Sequence, residues 1–240
     1  MTTNRNGNPE AVALLERAIA AIKSAETLSF EARKLHTTGV VQKLYEQWEL
    51  PVPVPVTLQK YNSWDCAGVS YVRVESSMSV GEMNLTKLFI KNREGVWDVL
   101  PHCVVEVSTI FKRDNLLGTF PFFRLFSIPQ YPYELSIDES SGSREELIVK
   151  GHLAAKPLHC EDDIARECSY TINAGNGHFC SLNEKTFNGR SLHLILDKLE
   201  LDRPINSQLF DLPDSPPLTI VSMAQYLALQ GAQYMHQIAP

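Results

Sequence analysis

The stretch 166–213 constrains this chain most, because it alternates short apolar segments with turn residues at close intervals. Apolar and polar residues alternate over 168–172, and the turn residues Ala174-Gly175-Asn176-Gly177 follow. A return segment runs over 179–184, and Asn188-Gly189 after it is the strongest short-range signal of a hairpin. This pattern predicts two consecutive antiparallel hairpins.

The same stretch ends in a last strand and a closing segment without a catalytic motif, called here the phrase. Leu192, Leu194 and Leu196 alternate along the strand. The phrase that follows is Asp202-Arg203-Pro204-Ile205-Asn206-Ser207-Gln208-Leu209-Phe210-Asp211-Leu212-Pro213. It predicts the end of a sheet and offers no reactive group in a recognisable catalytic context.

Composition narrows the class of protein. The chain has 240 residues, 44% of them hydrophobic and 21% charged, which is enough for one good core. No fixed-period repeat and no composition break divides it, so a single domain over residues 1–240 is predicted. The formal net charge of −6 gives no basic footprint for a nucleic-acid partner.

Helices are expected at both ends of the sheet. Asn8-Pro9-Glu10 is a good N-terminal cap, and an apolar stripe behind it predicts a helix over about 9–24. A β meander is expected over about 27–213, and a second helix over about 218–238. Within the meander, 103–117 carries apolar residues at spacings that predict a short helix.

With these elements in order, the chain resembles the outer-membrane lipoprotein-sorting superfamily, which has the LolA and LolB fold. The resemblance rests on the N-terminal helix, the long meander, a helical and aromatic interruption, and the two hairpins that end in Leu209-Phe210-Asp211-Leu212-Pro213. It implies an α+β fold, in which a strongly curved, mostly antiparallel sheet forms an incomplete β-barrel with helices covering the open side. It also implies a periplasmic or envelope protein if an export signal was removed from the chain. The polar residues 1–8 contain no apolar signal region, so a cytoplasmic protein is the alternative.

Such a half-barrel implies a binding function rather than catalysis. We expect a lipid or acyl group to lie in the concave apolar face, and an acylated protein or an acceptor protein at the membrane to be the partner. The candidate lining or lid residues are aromatic: Phe30, Trp48, Trp97, Phe120, Phe122, Phe123 and Phe126. Two alternatives stay open: an interaction or sensor module on the same fold, and a hydrolase on a β scaffold.

For several of these residues, ordinary structural packing competes with a role in ligand binding. The aromatic stretch 120–126 is either a lid or a core loop, and its prolines argue against a regular helix or central strand. A tryptophan in a strand is often ordinary sheet packing. No G-x-S-x-G, C-x-x-C or H-x-x-x-H motif occurs, so neither a catalytic residue nor a metal site or cofactor is predicted. One disulfide among Cys160, Cys168 and Cys180 competes with the interpretation that these are buried small residues.

Overall fold

The structure is a computed structural model of the 240-residue chain. It describes residues 7–36, 56–80, 83–100, 103–107, 133–138, 145–156, 164–189, 191–214, 217–219, 224–225 and 228.

One complete helix and twelve strands are present in these residues, and Ala224, Gln225 and Ala228 are helical as well. The complete helix and the strands are α1 (Pro9–Ser24), β1 (Thr27–His36), β2 (Val56–Cys66), β3 (Val69–Val80), β4 (Met83–Lys91), β5 (Val96–Val99), β6 (Val104–Glu106), β7 (Glu134–Asp138), β8 (Glu146–His152), β9 (Ala165–Asn173), β10 (Phe179–Thr186), β11 (Ser191–Leu201) and β12 (Leu218–Thr219). A 3₁₀ turn, Ser207–Phe210, lies between β11 and β12.

The strands hydrogen-bond in the order β12-β6-β5-β4-β3-β2-β1-β11-β10-β9-β8-β7. The pairings with a recorded register are antiparallel, apart from the short β12, which runs parallel to β6. Because β12 and β7 stand at the two ends of this order, the sheet is not closed within the described residues. A large, open and mostly antiparallel sheet is therefore confirmed, while the curvature of a half-barrel and its covering helices stay predictions.

The chain divides into two compact units, each described by itself. The first contains α1, the end of β1, β7 to β10 and most of β11. The second contains the start of β1, β2 to β6, the end of β11, the 3₁₀ turn and β12. The prediction of a single domain stays a prediction.

The first unit has a core that follows directly from strand alternation. Val149, Tyr170, Leu182 and Leu194 stand opposite one another in successive pairs across β8 to β11, and all four are buried. Residues opposite each other in an antiparallel pair share a face, so they form one apolar row. The apolar stripe of α1 is buried as well, and Asn8 caps the helix by accepting a hydrogen bond from the Glu10 backbone N–H at 2.9 Å.

The second unit uses the closing phrase of the sequence as an anchor. Asp202 accepts a hydrogen bond from the Glu26 backbone N–H at 2.8 Å, and the Thr27 hydroxyl donates to the Arg203 carbonyl at 2.7 Å. Asn206 then caps the 3₁₀ turn by accepting from the Gln208 N–H at 3.1 Å. The first two residues of the phrase Asp202 to Pro213 are therefore hydrogen-bonded to Glu26 and Thr27, at the start of β1.

One sequence-based expectation needs correction. Residues 104–106 form strand β6, paired with β5, where a helix over 103–117 was predicted. Val104 and Val105 are β-branched and suit a strand. Their apolar pattern fits a helix as well as a strand, and the pairing with β5 favours the strand. Leu218 and Thr219 are strand β12. Ala224, Gln225 and Ala228 are helical and most of residues 220–238 lies outside the described part, so the C-terminal helix over about 218–238 stays a prediction.

Candidate functional site: two faces of the second unit

One face of the second unit carries a row of apolar side chains, called here the aromatic face and defined by Phe30, Tyr61, Val74 and Phe89. The Phe30 and Tyr61 rings stack with centroids 4.8 Å apart and planes 14° apart. Tyr61 stands opposite Val74, and Val74 opposite Phe89, so these side chains share one face of β2, β3 and β4. All four are buried.

Polar residues continue the aromatic face along β2. Thr57 and Gln59 lie on the same side of β2 as Tyr61, because side chains two residues apart on a strand share a face. Both are buried, and Gln59 is only 5% exposed. The Gln59 side-chain oxygen Oε1 has no hydrogen-bond partner among the described residues. An unsatisfied buried acceptor costs about 1–3 kcal/mol, so its presence asks for an explanation.

The Tyr61 phenol of this face is uncharged. Burial raises the pKa of Tyr61 to about 12, with the Asp65 carboxylate adding to the rise and a hydrogen bond with Ser63 opposing it. The phenol is therefore neutral at every physiological pH. The aromatic face is therefore a buried apolar row with one unmet acceptor, and the ionisable residues Asp98 and Lys87 stand on the same side of β5 and β4.

A groove of about 510 Å³, called here the Leu58 groove, runs along β2 to β5. Most of its lining side chains stand opposite the aromatic face, whereas Ser76 and Lys87 pair with each other on the side of Val74 and Phe89. Leu58 is 49% exposed, the highest exposure among the described large hydrophobic side chains. The groove is lined by four apolar residues, three basic residues, one acidic residue and three hydroxyl residues: Leu58, Leu88, Val99, Leu100, Lys60, Arg73, Lys87, Glu75, Ser76, Ser77 and Thr86. This mixture suits an amphiphilic ligand better than a purely apolar one.

Arg73 joins the Leu58 groove to the anchored phrase. Its Nε lies 2.7 Å from Glu75 Oε1, and its guanidinium donates to the Leu209 carbonyl at 3.1 Å. The next residue, Phe210, is 1% exposed, and its ring lies 5.7 Å from the Tyr71 ring. Asn92 also donates to the Phe210 carbonyl, at 3.2 Å. Arg73 thus contacts both Glu75 in the wall of the Leu58 groove and Leu209 near the end of the phrase.

The first unit holds a different groove, of about 520 Å³, with a polar lining. Side chains from β7 to β11 form it, including Lys150, Glu167, Asn183 and His193. Partial burial lowers the pKa of His193, and the positive charge of Arg33 lowers it further.

The described thiols are not arranged as nucleophiles. Burial raises the pKa of Cys168 to about 12, and burial also raises the pKa of Cys103 and of Cys180. The thiolate is the nucleophilic form, so a raised pKa keeps these three thiols protonated near neutral pH. Cys168 and Cys180 are free thiols rather than a disulfide pair, and Cys160 lies outside the described residues.

Two of the predicted lining residues lie in the described part of the chain, and the sheet separates them. Phe30 belongs to the aromatic face. Asp98 pairs with Phe89 and shares that face, so its neighbour Trp97 points to the other side, where it is buried beside Gly95. Trp48, Phe120, Phe122, Phe123 and Phe126 lie outside the described residues.

Sequence reasoning missed the two most unusual positions, Leu58 and Gln59. A signal was present: in Thr57-Leu58-Gln59-Lys60-Tyr61 the apolar Leu58 is out of step with the apolar Tyr61. Period-2 alternation puts Leu58 opposite in orientation to Tyr61 and puts Gln59 beside it.

The described residues contain neither a membrane-spanning helix nor a cluster of metal-ligand side chains. No helix there has the length and apolarity needed to span a bilayer. No group of three or more His, Cys, Asp and Glu side chains in those ranges is placed to hold a metal ion.

Comparisons with known proteins add fold neighbours at low identity. No family model matches the chain, and no curated protein matches it. Among solved structures, LprF from Mycobacterium bovis is 10% identical with a TM-score of 0.49, covering 84% of this chain and 97% of LprF. MucB is 10% identical with a TM-score of 0.46, covering 87% of this chain and 65% of MucB.

The superfamily suggested by residues 166–213 occurs among these neighbours. An outer-membrane lipoprotein-sorting protein domain from Vibrio parahaemolyticus is 12% identical with a TM-score of 0.36, covering 84% of this chain and 97% of the domain. Each of these TM-scores is below 0.5 and each identity is 12% or less, so these likenesses say nothing of the ligand or role of this chain.

Proposed function

We propose that this chain is a non-enzymatic envelope protein that binds the acyl group of a lipid or an acylated protein on the aromatic face. The observation that carries the proposal is Gln59 Oε1, a buried acceptor without a partner in the described residues at the end of an apolar row. Natural proteins rarely leave such an atom unsatisfied, and a ligand donor is one explanation.

The chemistry of the face indicates the ligand. Each methylene that an acyl chain buries against Phe30, Tyr61 and Phe89 contributes about 0.8 kcal/mol. A hydroxyl or amide N–H near the head of the chain would donate to Gln59 and offset the cost of its unmet acceptor. We therefore expect an acyl ligand with a hydrogen-bond donor close to its first carbons.

A lid is part of the proposal. An apolar binding face that is empty invites aggregation, so a segment has to cover it between ligands. Residues 116–128, with Phe120, Phe122, Phe123 and Phe126, have the composition for that role. Transfer to an acceptor at the membrane would then release the acyl group without nucleotide chemistry.

A matched pair of ligands tests the role of Gln59. Dodecanamide has amide N–H donors, and N,N-dimethyldodecanamide has the same chain without them. We expect the wild-type protein to bind dodecanamide about tenfold more tightly in native mass spectrometry and calorimetry, the usual worth of one hydrogen bond at a buried acceptor. In Gln59→Leu this preference disappears, while the exposed control Asn183→Leu keeps it.

The same variant has an opposite effect on stability. Replacing an unsatisfied buried acceptor with an apolar side chain stabilises the ligand-free protein, so its melting temperature rises. Failure of the wild-type protein to bind either amide, or a preference that survives in Gln59→Leu, would sink the proposal. Capture of a protein segment in place of lipid would favour the interaction module.

A further inference from the structure

The unmet acceptor of Gln59 faces a hydroxyl on the neighbouring strand. Gln59 stands directly opposite Ser76 in the pairing of β2 with β3, so both side chains lie on the side of the sheet that carries the aromatic face. The Cβ atoms of residues opposed in this way lie about 4.5–5.5 Å apart. Gln59 Oε1 nevertheless accepts no hydrogen bond from Ser76 or from any other described residue. The two polar groups are therefore neighbours that do not satisfy each other.

The place of this pair in the sheet limits the ligand. Tyr61 and Val74 are also opposite each other, two residues away along the same two strands, and they belong to the aromatic face. A step of two residues along a strand is about 6.8 Å. An acyl chain on the aromatic face therefore passes from an apolar row to a polar pair within a few carbons, and the ligand group that belongs at the pair is polar.

Charge gives this part of the sheet no preference for an anion. Lys87 stands opposite Ser76 and Asp98 stands opposite Phe89, so one ionisable side chain of each sign lies on this side of β4 and β5. Gln59 and Ser76 are themselves uncharged. Hydrogen bonding is therefore the property by which this pair can distinguish one acyl ligand from another.

We propose that the aromatic face takes an acyl chain with a hydroxyl on one of its first carbons, such as a 3-hydroxyacyl group, and that this hydroxyl bridges Gln59 and Ser76. The inference rests on the proposed function and names its ligand class. A hydroxyl both donates and accepts, so its O–H meets Gln59 Oε1 while its oxygen accepts from the Ser76 hydroxyl. An amide N–H can only donate, and an ether or ester oxygen can only accept. One hydroxyl thus satisfies both residues.

Neutral esters with the same chain test the hydroxyl in native mass spectrometry and calorimetry. Methyl 3-hydroxydodecanoate can donate and accept at its third carbon, methyl 3-methoxydodecanoate can only accept there, and methyl dodecanoate carries no group there. We expect the wild-type protein to bind the hydroxy ester about tenfold more tightly than the methoxy ester and about fivefold more tightly than the unsubstituted ester. Methyl 7-hydroxydodecanoate places its hydroxyl against the apolar row and should lose this advantage.

Two adjacent serines give a matched pair of variants. Ser76→Ala removes the hydroxyl that faces Gln59, so the preference for the hydroxy ester over the methoxy ester should fall to about threefold or less. Ser77→Ala is the control, because Ser77 stands opposite Leu58 on the other side of the sheet and should leave that preference at its wild-type value. Ser76→Ala should also keep the preference for dodecanamide over its dimethyl form, since that amide needs only the Gln59 acceptor.

Several outcomes overturn the inference. Equal affinities for the hydroxy and methoxy esters would mean that a buried water, and not a ligand hydroxyl, satisfies Gln59. Equal binding of the 3-hydroxy and 7-hydroxy esters contradicts it as well, and so does a preference that survives in Ser76→Ala or is lost in Ser77→Ala. In each of these cases a retained preference for dodecanamide leaves the proposed function intact, whereas no binding of any ester or amide removes both.

Discussion

Leu58 and Gln59 are neighbours in β2 that point to opposite faces of the sheet, and the apolar one is exposed while the polar one is buried. Leu58 is 49% exposed and Gln59 is 5% exposed. In an ordinary antiparallel sheet with one solvated face, the apolar residue is buried and the polar residue is exposed. Conflicts of this kind between local sequence and burial are expected at functional positions, and here one conflict marks both faces of the same strand.

Leu58 contributes to a surface and not to the core, so its removal should cost little. We expect Leu58→Thr to change the free energy of unfolding by less than about 0.5 kcal/mol, because threonine suits a strand and the position is half exposed. Phe30→Ala, on the aromatic face, should cost about 3–5 kcal/mol. Urea denaturation of the two variants compares them, and a large loss in Leu58→Thr would show that Leu58 belongs to the core.

The anchored phrase depends on one buried ring. Phe210 packs against Tyr71 and is 1% exposed, so Phe210→Ala leaves a cavity and should cost about 3–5 kcal/mol. The exposed Gln208→Ala in the same 3₁₀ turn is the control and should stay within about 0.5 kcal/mol of wild type. Hydrogen exchange would show faster opening of the 3₁₀ turn in Phe210→Ala, and equal losses in both variants would contradict a specific role of the ring.

Local signals predict the strands and turns well. Asn188-Gly189 forms the expected hairpin turn, with Gly189 at a φ of +82° that glycine adopts without strain. Asn92 to Gly95 likewise forms the turn between β4 and β5, closed by the Asn92 N–H and the Gly95 carbonyl at 3.0 Å. These features depend on neighbouring residues alone, which is why the sequence specifies them.

The site depends on long-range pairing and is therefore harder to predict. Phe30 and Trp97 were expected to line one cavity, yet whether they share a face depends on Phe89 pairing with Asp98 and not with Trp97. A shift of that register by one residue would reverse the result. Strand β6 is hard to predict for the same reason. Its apolar residues fit both the helical and the strand period, and only the pairing with β5 distinguishes the two.

His193 makes stability depend on pH. Its folded-state pKa lies below its ordinary value of about 6.5, through burial and the nearby Arg33, so the unfolded chain binds more protons between these two values. Stability should therefore fall as the pH drops from about 7 through 6.5 towards the folded-state pKa. Asp197 holds Arg33 in place, with the guanidinium 2.6 Å from the carboxylate.

The measurement for His193 has two parts. An NMR titration of its ring should give a midpoint below about 6.5, and denaturation between pH 5 and 8 should show a flatter dependence in His193→Gln. A midpoint at or above the unfolded value would contradict the lowered pKa.

Gly151 in β8 is required by the side chain across from it, which makes a coupled prediction. Gly151 pairs with Cys168, and a Cβ at position 151 would lie 2.6 Å from the Cys168 sulfur and 3.1 Å from Leu135 Cδ2. The first distance is too short for any relaxed contact, so Gly151→Ala should cost about 1–3 kcal/mol as overpacking of a core.

Removing the sulfur should relieve that cost. In a Cys168→Ala background the nearest obstacle is gone, and alanine at position 151 gains the usual advantage over glycine in a strand of about 0.5–1 kcal/mol. The double variant should therefore be more stable than the sum of the single losses predicts, with a coupling of about 1 kcal/mol or more. Urea denaturation of the four proteins measures this coupling. Additive losses would mean that Leu135 or the backbone, and not Cys168, keeps a side chain out of this position.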